Sequence, residues 1–365
     1  MSYIKKIKIL LFKKIYPQDY KICKVKKIKF ISHKKISFNK KIFYNFFTIP
    51  NCRLYTDTLN DAAFIYNNNL LREPSYQYRI GRNNKIINGN IKKNFVLING
   101  TPNIRKRVFG NIFSLLSGGA AKNNYWHWLF DVLPKFGILE KSKIKTKIDF
   151  FLVPALKKKF QFDTLESLNI NFKKILDSEK NKHILSNNMI VTDHPINFNN
   201  NPSKSILHIP IWIIFWLRKK FLLKKKKINE FSKIFINRND KFTSNTRTVT
   251  NNKDLINFLR KKNFKILTLS NFTFKEQVEI FNSAKIIIGL HGAGFANIVF
   301  SSPNTKIIEI QSKSSGNAIC NLSKACGLDY YRIIEKKKSN NLSYQNFKIK
   351  INLEKLKIIL DKIDI

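Results

Sequence analysis

The sequence has few cysteines, and their positions argue against two kinds of cross-linked scaffold. Cys23, Cys52, Cys320 and Cys326 are scattered over 365 residues, with no CxxC pair and no histidine at a zinc-ligand spacing. Disulfide frameworks belong to much shorter secreted chains. We therefore expect free thiols, no metal site and a reducing, cytoplasmic compartment.

Long apolar runs are also absent. No stretch approaches the roughly 18 apolar residues that cross a bilayer, and lysines interrupt every apolar cluster near the N-terminus, which argues against a signal peptide. The nearest candidate is segment 206–227, whose apolar part is broken by His208 and Pro210 and followed by lysines. It fits either a buried helix between two domains or a helix on an anionic membrane, at the inner face of the membrane.

Acidic residues are scarce: 23 stand against 68 basic residues, and the net charge is +45. This balance suits nucleic acid, an anionic membrane or a phosphorylated or acidic substrate. However, only 11 basic residues are arginine, the residue that nucleic-acid surfaces use for bidentate contacts. Lysine, asparagine, isoleucine and phenylalanine are enriched together, which favours drift in an A+T-rich genome and disfavours a nucleic-acid partner.

What the sequence does contain is an alternation of short apolar runs and helical patterns. In the first half, 94–100, 148–154 and 189–195 are predicted strands, and 160–170 is a predicted helix. The second half alternates more clearly, with a capping box at Thr273 and Glu276. Its predicted strands are 233–237, 264–269, 285–290 and 305–310, and its predicted helices are 251–263 and 273–284.

Near-continuous apolar strands that alternate with helices are typical of parallel sheets covered on both faces. The pattern therefore predicts an α/β protein with two Rossmann-like domains facing a central cleft. The predicted divisions are a basic leader (1–45), an N-terminal domain (46–205), a linker helix (206–231), a C-terminal domain (232–340) and a C-terminal helix (341–365).

A glycine-histidine loop follows the predicted strand 285–290. Gly292 and Gly294 let the backbone approach a ligand closely and leave amides pointing at an anion, while His291 sits at the carboxyl end of the strand. A histidine there can donate to a diphosphate or a leaving oxygen; the alternative is a tight turn with an incidental histidine. No GxGxxG or P-loop motif is present.

Two arginines and a glutamate accompany this loop. Arg238 directly follows a predicted strand, and Arg247 lies in the next polar loop. In a lysine-rich chain, arginines at such positions indicate a need for planar donors to phosphate, although both could be surface residues. Glu309, expected at the end of a strand, can accept the two hydroxyls of a ribose or simply be solvated.

The stretch NNYWHWLFDVLP, residues 123–134, has the densest cluster of aromatic residues with a histidine and a carboxylate. On a helix, His127 and Asp131 lie four residues apart and therefore share one face. The pair is either a satisfied polar contact in a core or a catalytic pair lining a cleft. Which of the two would be the base stays open at this stage.

Together these residues resemble the glycosyltransferase family 61 catalytic domain. The family's aromatic segment matches 124–128 with Asp131, and its strand-arginine motif matches FINR, ending at Arg238. Arg247, Asn251 and Leu255 match a third motif, and GLHGAGFANIVFSSPNTKIIEI matches the last. The four motifs occur in the family's order over roughly 120–312.

The resemblance implies a GT-B fold and inverting transfer from a nucleotide-linked sugar, with UDP the expected nucleotide, to a glycan or lipid-linked glycan. It implies no cofactor and no essential metal, and a role in capsule or lipopolysaccharide synthesis. We expect His127 or Asp131 to deprotonate the acceptor and His291 to support the leaving group. The expected donor-binding residues are Arg238, Arg247, Gly292, Ala293, Gly294, Asn297 and Glu309, and the expected acceptor-side residues are Asn124, Tyr125 and Trp126.

Two other interpretations stand beside this one. The chain could be a non-catalytic basic protein that binds nucleic acid or an anionic membrane surface, or a family member that retains only the fold. The presence of His127, Asp131 and His291 argues against the second of these.

Overall fold

The computed structural model describes ten segments of the chain and divides it into two compact units, Met1–Ser205 and Ile206–Ile365. The described residues are 3–16, 20–56, 62–75, 91–116, 123–196, 207–222, 229–238, 247–313, 315–336 and 347–363. Each unit has its own sheet and its own hydrophobic core.

Within its described residues, the first unit combines ten strands with short helices. Its helices are α1 (Tyr3–Ile15), α2 (Phe95–Asn99), α3 (Tyr125–His127), α4 (Pro134–Ser142) and α5 (Lys159–Ser167). Its strands are β1 (Lys21–Cys23), β2 (Ser32–Ser37), β3 (Phe43–Pro50), β4 (Arg53–Thr56), β5 (Ala62–Tyr66), β6 (Asn69–Leu71), β7 (Lys106–Ser114), β8 (Phe150–Val153), β9 (Ile175–Asp177) and β10 (His183–Thr192).

The sheet of the first unit is mixed. Strands β10, β7, β8 and β9 lie side by side and run parallel, as the alternation with helices predicts. On the other side of β10, strands β3 and β4 are antiparallel to it and lead into an antiparallel meander. The parallel part is therefore Rossmann-like, and an antiparallel extension completes the sheet.

The structure differs from the sequence prediction in two places in this unit. Residues 1–45, expected to be a leader, contribute α1, β1, β2 and the start of β3 to the fold. Segment 94–100, expected to be a strand, contains helix α2. The Asn94 side chain accepts from the Val96 N–H at 3.2 Å and caps this helix, and Gly100, with φ of 63°, ends it.

The second unit is a doubly wound α/β domain. Its main sheet has the order β13-β11-β14-β15-β16 with all strands parallel, and β12 pairs with β17 apart from it. Its strands are β11 (Lys233–Ile236), β12 (Arg247–Val249), β13 (Lys265–Leu267), β14 (Ile286–Leu290), β15 (Lys306–Ser312), β16 (Asp329–Glu335) and β17 (Phe347–Ile349). Its helices are α6 (Ile211–Phe221), α7 (Asn252–Lys261), α8 (Phe274–Ser283), α9 (Ala318–Ala325) and α10 (Leu353–Ile363).

The helices and strands predicted between residues 233 and 310 occur at the expected places. The C-terminal helix expected over 341–365 is correct for Leu353–Ile363, which is α10, and wrong for Phe347–Ile349, which is strand β17. Thr273 and Glu276 form the predicted capping box: the Thr273 hydroxyl accepts from the Glu276 N–H, and the Glu276 carboxylate accepts from the Thr273 N–H. The reason for this agreement is that the strands are short, apolar and buried on both faces, for example Ile286, Ile287 and Ile288.

Segment 206–231, expected to be a linker helix, contributes helix α6 to the second unit. Ile213, Ile214, Trp216 and Leu217 of this helix are buried, and Arg218 donates to the backbone carbonyls of Val299 and Ser301. The sequence prediction of a buried helix therefore fits α6 better than that of a membrane-surface helix.

Candidate functional site

The aromatic segment forms a helix with a widened turn in its middle. Asn124 caps α3, since its side-chain oxygen accepts from the N–H groups of Trp126 and His127. Residues Trp128–Val132 then form a π-helical turn before α4 begins at Pro134. Proline lacks an N–H and its ring clashes with the carbonyl four residues back, which accounts for the widening. Such turns often mark functional sites.

His127 and Asp131 are in direct contact on this helix. The Nδ1 atom of His127 lies 2.6 Å from Oδ2 of Asp131, and both side chains are largely buried. The Asp131 side chain is 4% exposed, whereas that of His127 is 11% exposed. The carboxylate is therefore the deeper partner, and the imidazole is the partner closer to solvent.

A second histidine reaches the same carboxylate from a neighbouring strand. His194 follows the end of β10, and its Nε2 lies 3.7 Å from Oδ2 of Asp131. Burial lowers the pKa of His194 to about 4, although the charge of Asp131 works against this shift. Because β7 and β10 run parallel, their carboxyl ends meet at one edge of the sheet, and the chain after each strand supplies part of this cluster.

Two further ionisable groups, the buried Lys135 and the half-buried Asp193, lie near the pair. Lys135 is 1% exposed, and its Nζ donates to the Leu116 carbonyl at 2.7 Å. Burial lowers the pKa of Lys135 to about 7, while the charges of Asp193 and Asp131 oppose this shift. Burial also raises the pKa of Asp193, which accepts two hydrogen bonds from Asn45. The charges of Asp131, Lys135 and Asp193 therefore influence one another in a largely buried part of the first unit.

We expect Lys135→Met to change how stability depends on pH. The pKa of Lys135 is about 7 in the folded protein, against 10.5 for an unperturbed lysine, so the unfolded chain binds more protons between these values. Lys135 therefore makes the free energy of unfolding rise with pH in that window, and the variant should lose this rise. Urea unfolding at pH 7 and at pH 9.5 measures it. The control is Lys141→Met on the exposed side of the same helix, which should keep the wild-type slope.

The second unit places its polar groups where the strand order reverses. In the order β13-β11-β14, the chain after β11 and the chain after β14 leave the sheet toward opposite neighbours. Open α/β sheets bind ligands at the carboxyl ends of the strands on either side of such a switch point. Arg238 follows β11 and His291 follows β14, so both lie at this position.

The two arginines meet at one atom. Arg238 Nη1 donates to the His291 carbonyl at 3.0 Å, and Arg247 Nη1 donates to the same oxygen at 2.7 Å. Arg238 follows β11 and Arg247 is the first residue of β12, nine residues later, and the His291 carbonyl brings their guanidinium groups together. The result is a concentration of positive charge at the switch point.

Gly292 and Gly294 are closely packed, Gly292 against Arg238 and Gly294 against Leu269. A Cβ atom on Gly292 would lie 2.7 Å from Nη1 of Arg238, and one on Gly294 would lie 3.0 Å from Cδ1 of Leu269. Any side chain at Gly292 would therefore displace a guanidinium that the His291 carbonyl holds in place. The residues that follow, Ala293–Phe300, form a 3₁₀ helix.

The imidazole of His291 is held by a buried carboxylate. Nδ1 of His291 and the hydroxyl of Tyr330 each bond to one oxygen of Glu309, which is fully buried. Burial and the Glu309 charge both raise the pKa of Tyr330, so the phenol stays protonated and donates. Glu309 therefore fixes the ring of His291, and Nε2 is the ring nitrogen through which His291 can act on a ligand.

Two of the predicted donor-binding residues have contacts within the fold. Strand β15 continues to Ser312, so the expectation that Glu309 ends its strand is wrong, and its carboxylate bonds to His291 and Tyr330. Asn297 is fully buried and donates to Gln277 at 2.9 Å. Contact of either residue with the donor stays a prediction. Ala293 lies between the two glycines and is partly exposed.

The predicted acceptor-side residues all lie at the start of the aromatic helix. Asn124 and Tyr125 are partly exposed, and the Tyr125 ring lies edge-on to Phe160. Trp126 packs edge-on against Phe130, and its buried indole N–H has no hydrogen-bond partner among the described residues. Asn124 has a structural role as the helix cap; contact of these residues with an acceptor stays a prediction.

Sequence reasoning missed Tyr330, His194 and Lys135. Tyr330 and His194 lie far along the chain from the residues that they contact. Lys135 lies in a helix whose sequence pattern does not distinguish a buried lysine from an exposed one. The sequence signal for Tyr330 was weak: it lies shortly after a glycine at the start of a partly apolar run. Its contact with Glu309 depends on the register between the neighbouring strands β15 and β16, in which Tyr330 pairs with Ile307, two residues before Glu309. His194 had a clearer signal, because it lies near the end of the predicted strand 189–195.

The fold and this arrangement define a class: an α/β protein with two arginines and a histidine at the switch point of a doubly wound domain. A family model described as Glycosyltransferase 61 matches residues 125–308. Because the match spans half of the chain, the protein belongs to the glycosyltransferase 61 family. This confirms the family that the four motifs predict.

A short segment also matches a characterised relative. Over 44 residues the chain is 48% identical to a beta-1,2-xylosyltransferase of Arabidopsis thaliana. The matched segment covers 12% of this chain and 8% of the plant protein. The likeness therefore supports the family and leaves the sugar and the acceptor open.

Proposed function

We propose that the protein transfers a sugar from a nucleoside-diphosphate donor, with UDP the expected nucleotide, to a hydroxyl of a glycan acceptor. The observation that carries this proposal is the convergence of Arg238 and Arg247 on the His291 carbonyl at the switch point. Each guanidinium has five N–H donors, so one group can bridge this carbonyl and a phosphate oxygen. The second unit would thus bind the diphosphate of the donor.

On this proposal, His127 is the base and Asp131 orients it. Asp131 bonds to Nδ1 of His127, so a proton from the acceptor hydroxyl would go to Nε2. The deeper carboxylate offsets the charge that the imidazole gains as it takes this proton. The acceptor oxygen then forms a bond to the anomeric carbon as the bond to the diphosphate breaks, which inverts the anomeric centre.

The leaving diphosphate gains charge in this step, and the second unit supplies groups to stabilise it. Arg238 and Arg247 provide permanent positive charge, and Nε2 of His291 can donate to a phosphate oxygen while Glu309 holds Nδ1. With two guanidinium groups in this position, we propose that transfer needs no metal ion and no other cofactor.

We further propose a GT-B arrangement of the two units and a role in capsular polysaccharide or lipopolysaccharide synthesis, with lipid-linked glycans among the acceptors. The free thiols of the described cysteines support a cytoplasmic location, and the net charge of +45 supports a peripheral contact with an anionic membrane. The excess of lysine over arginine supports a carbohydrate substrate over nucleic acid.

The test is calorimetric titration of the full chain with a panel of nucleoside-diphosphate sugars and, separately, with a short DNA duplex. We expect saturable binding of one nucleotide class, with UDP-sugars the first candidates, and product formation once a glycan acceptor is added. Salt-sensitive binding of DNA with no binding of any nucleotide sugar would instead identify a non-catalytic basic protein.

A further inference from the structure

Helix α1 is fixed on the first unit by one of its faces. Ile9 is buried, and Lys8 donates to the Asn103 side chain at 3.1 Å. At the end of the helix, the Tyr16 hydroxyl accepts from the Arg105 N–H at 2.9 Å, and the Tyr16 ring lies edge-on to His183 at 4.9 Å. The rotation of the helix about its axis is therefore set by contacts at both ends.

The opposite face of α1 presents apolar side chains to solvent. Six of them are between 41% and 78% exposed: Tyr3, Ile4, Ile7, Leu10, Leu11 and Ile15. At 3.6 residues per turn, they cover an arc of about 140° on the side away from Ile9. An exposed apolar arc of this width is unusual for a helix packed on the surface of a protein, and it indicates a binding surface.

Lysines border this apolar arc. Lys6 and Lys13 lie along one edge, Lys8 lies along the other, and Lys14 lies within it. The helix has no acidic residue. Apolar side chains flanked by lysines on a helix are the pattern of interfacial helices, in which the apolar face enters the bilayer and the lysines meet anionic headgroups.

A second exposed patch adjoins the end of the helix. Ile104 and Phe109 are 75% and 76% exposed, and Arg105, Lys106 and Arg107 between them are also exposed. The Arg105 guanidinium lies over the Tyr16 ring at 5.5 Å, which connects this patch to α1. Two exposed segments of the first unit thus combine large apolar and basic side chains.

We propose that α1 and residues 104–109 form a docking surface for an anionic lipid bilayer. Nucleic acid would use the lysines and arginines but would gain nothing from solvent-exposed leucine and isoleucine. None of the described helices is long and apolar enough to cross a membrane, so α1 would lie along the surface. The proposal deepens the peripheral contact proposed above by naming its surface, and it does not depend on the sugar-transfer activity.

The test is cosedimentation of the full chain with vesicles of equimolar phosphatidylcholine and phosphatidylglycerol, compared with pure phosphatidylcholine. We expect binding to the anionic vesicles that weakens as salt rises. The double variant Leu10→Gln, Leu11→Gln should bind at least about tenfold more weakly, because each leucine would otherwise leave water. Lys6→Gln and Lys13→Gln should each reduce binding about fivefold.

Phe215→Gln is the matched control, because it removes a 64% exposed apolar side chain from α6, the segment that the sequence singled out. It should bind like the wild type, and circular dichroism should show that all variants are folded. Unchanged binding of the leucine double variant would overturn the proposal, as would equal binding to pure phosphatidylcholine. Binding to a DNA duplex with no binding to either vesicle would assign the surface to nucleic acid instead.

Discussion

Replacing His127 with alanine is expected to lower kcat by about 10³-fold, the range typical of a lost general base. The expected reason is that Nε2 of His127 takes the acceptor proton while Asp131 holds Nδ1 at 2.6 Å. The affinity for UDP should stay near the wild-type value, since the proposed diphosphate site uses Arg238, Arg247 and His291 of the second unit. Steady-state kinetics with a saturating donor, together with calorimetry, measures both quantities.

Asp131→Asn provides the comparison that separates the two roles. If Asp131 acts through His127, this variant should lose less activity than His127→Ala, and the double variant should be no worse than His127→Ala alone. A larger loss for Asp131→Asn than for His127→Ala would make Asp131 the base. Wild-type turnover in both single variants would remove this helix from the catalytic mechanism.

The second large effect is expected from Arg238→Lys. A guanidinium can donate to the His291 carbonyl and to a phosphate oxygen at once, whereas a lysine ammonium is a compact charge without this planar fork. We expect the affinity for UDP to fall about 10- to 100-fold, the range for lost hydrogen bonds to a charged group. Calorimetric titration with UDP gives the change directly.

Arg260→Lys is the control for this prediction, because Arg260 is an exposed arginine on α7 of the same unit. It should bind UDP like the wild type. Arg247→Lys should resemble Arg238→Lys, since both side chains donate to the same carbonyl. Unchanged affinity in both variants would mean that the arginine pair is a structural support for the His291 loop and not a diphosphate site.

The second unit is the part of the fold that the sequence predicts well. Its central strands β11, β14 and β15 are almost entirely buried, so each appears as a largely apolar run, such as Ile286–Leu290, between helical segments. The antiparallel strands of the first unit gave no comparable signal. Strand β2, for instance, has only Ile36 buried, and its pairing with β3 depends on tertiary contacts.

Local chemistry explains the strand that was predicted and not found. The run Phe95–Asn99 is apolar enough for a strand, but Asn94 caps a helix at its start and Gly100 adopts a positive φ at its end. Periodicity does not distinguish a five-residue helix from a buried strand, because both present a short apolar run. The residues that indicate a helix are the two caps, Asn94 and Gly100, and their effect depends on the backbone conformation at each end.

The sequence by itself determined which residues are candidates in each of the two units. It did so because helix periodicity places His127 and Asp131 on one face, and because loops at strand ends collect polar ligands. The family was recognised from the order of four short motifs, because the order of motifs is a property of the sequence and needs no structure.

Only the tertiary structure decided how these residues are used. Contacts between residues far apart in the chain, such as Glu309 with Tyr330 and Asp131 with His194, depend on which strands lie side by side. How deeply a side chain is buried also depends on the packing of the whole fold. Asp131 lies deeper than His127 in the first unit, and α6 is buried while α1 keeps an apolar face in solvent. Both α1 and α6 combine apolar residues with lysines in sequence, and only the packing around each helix determines which of its faces is exposed to solvent.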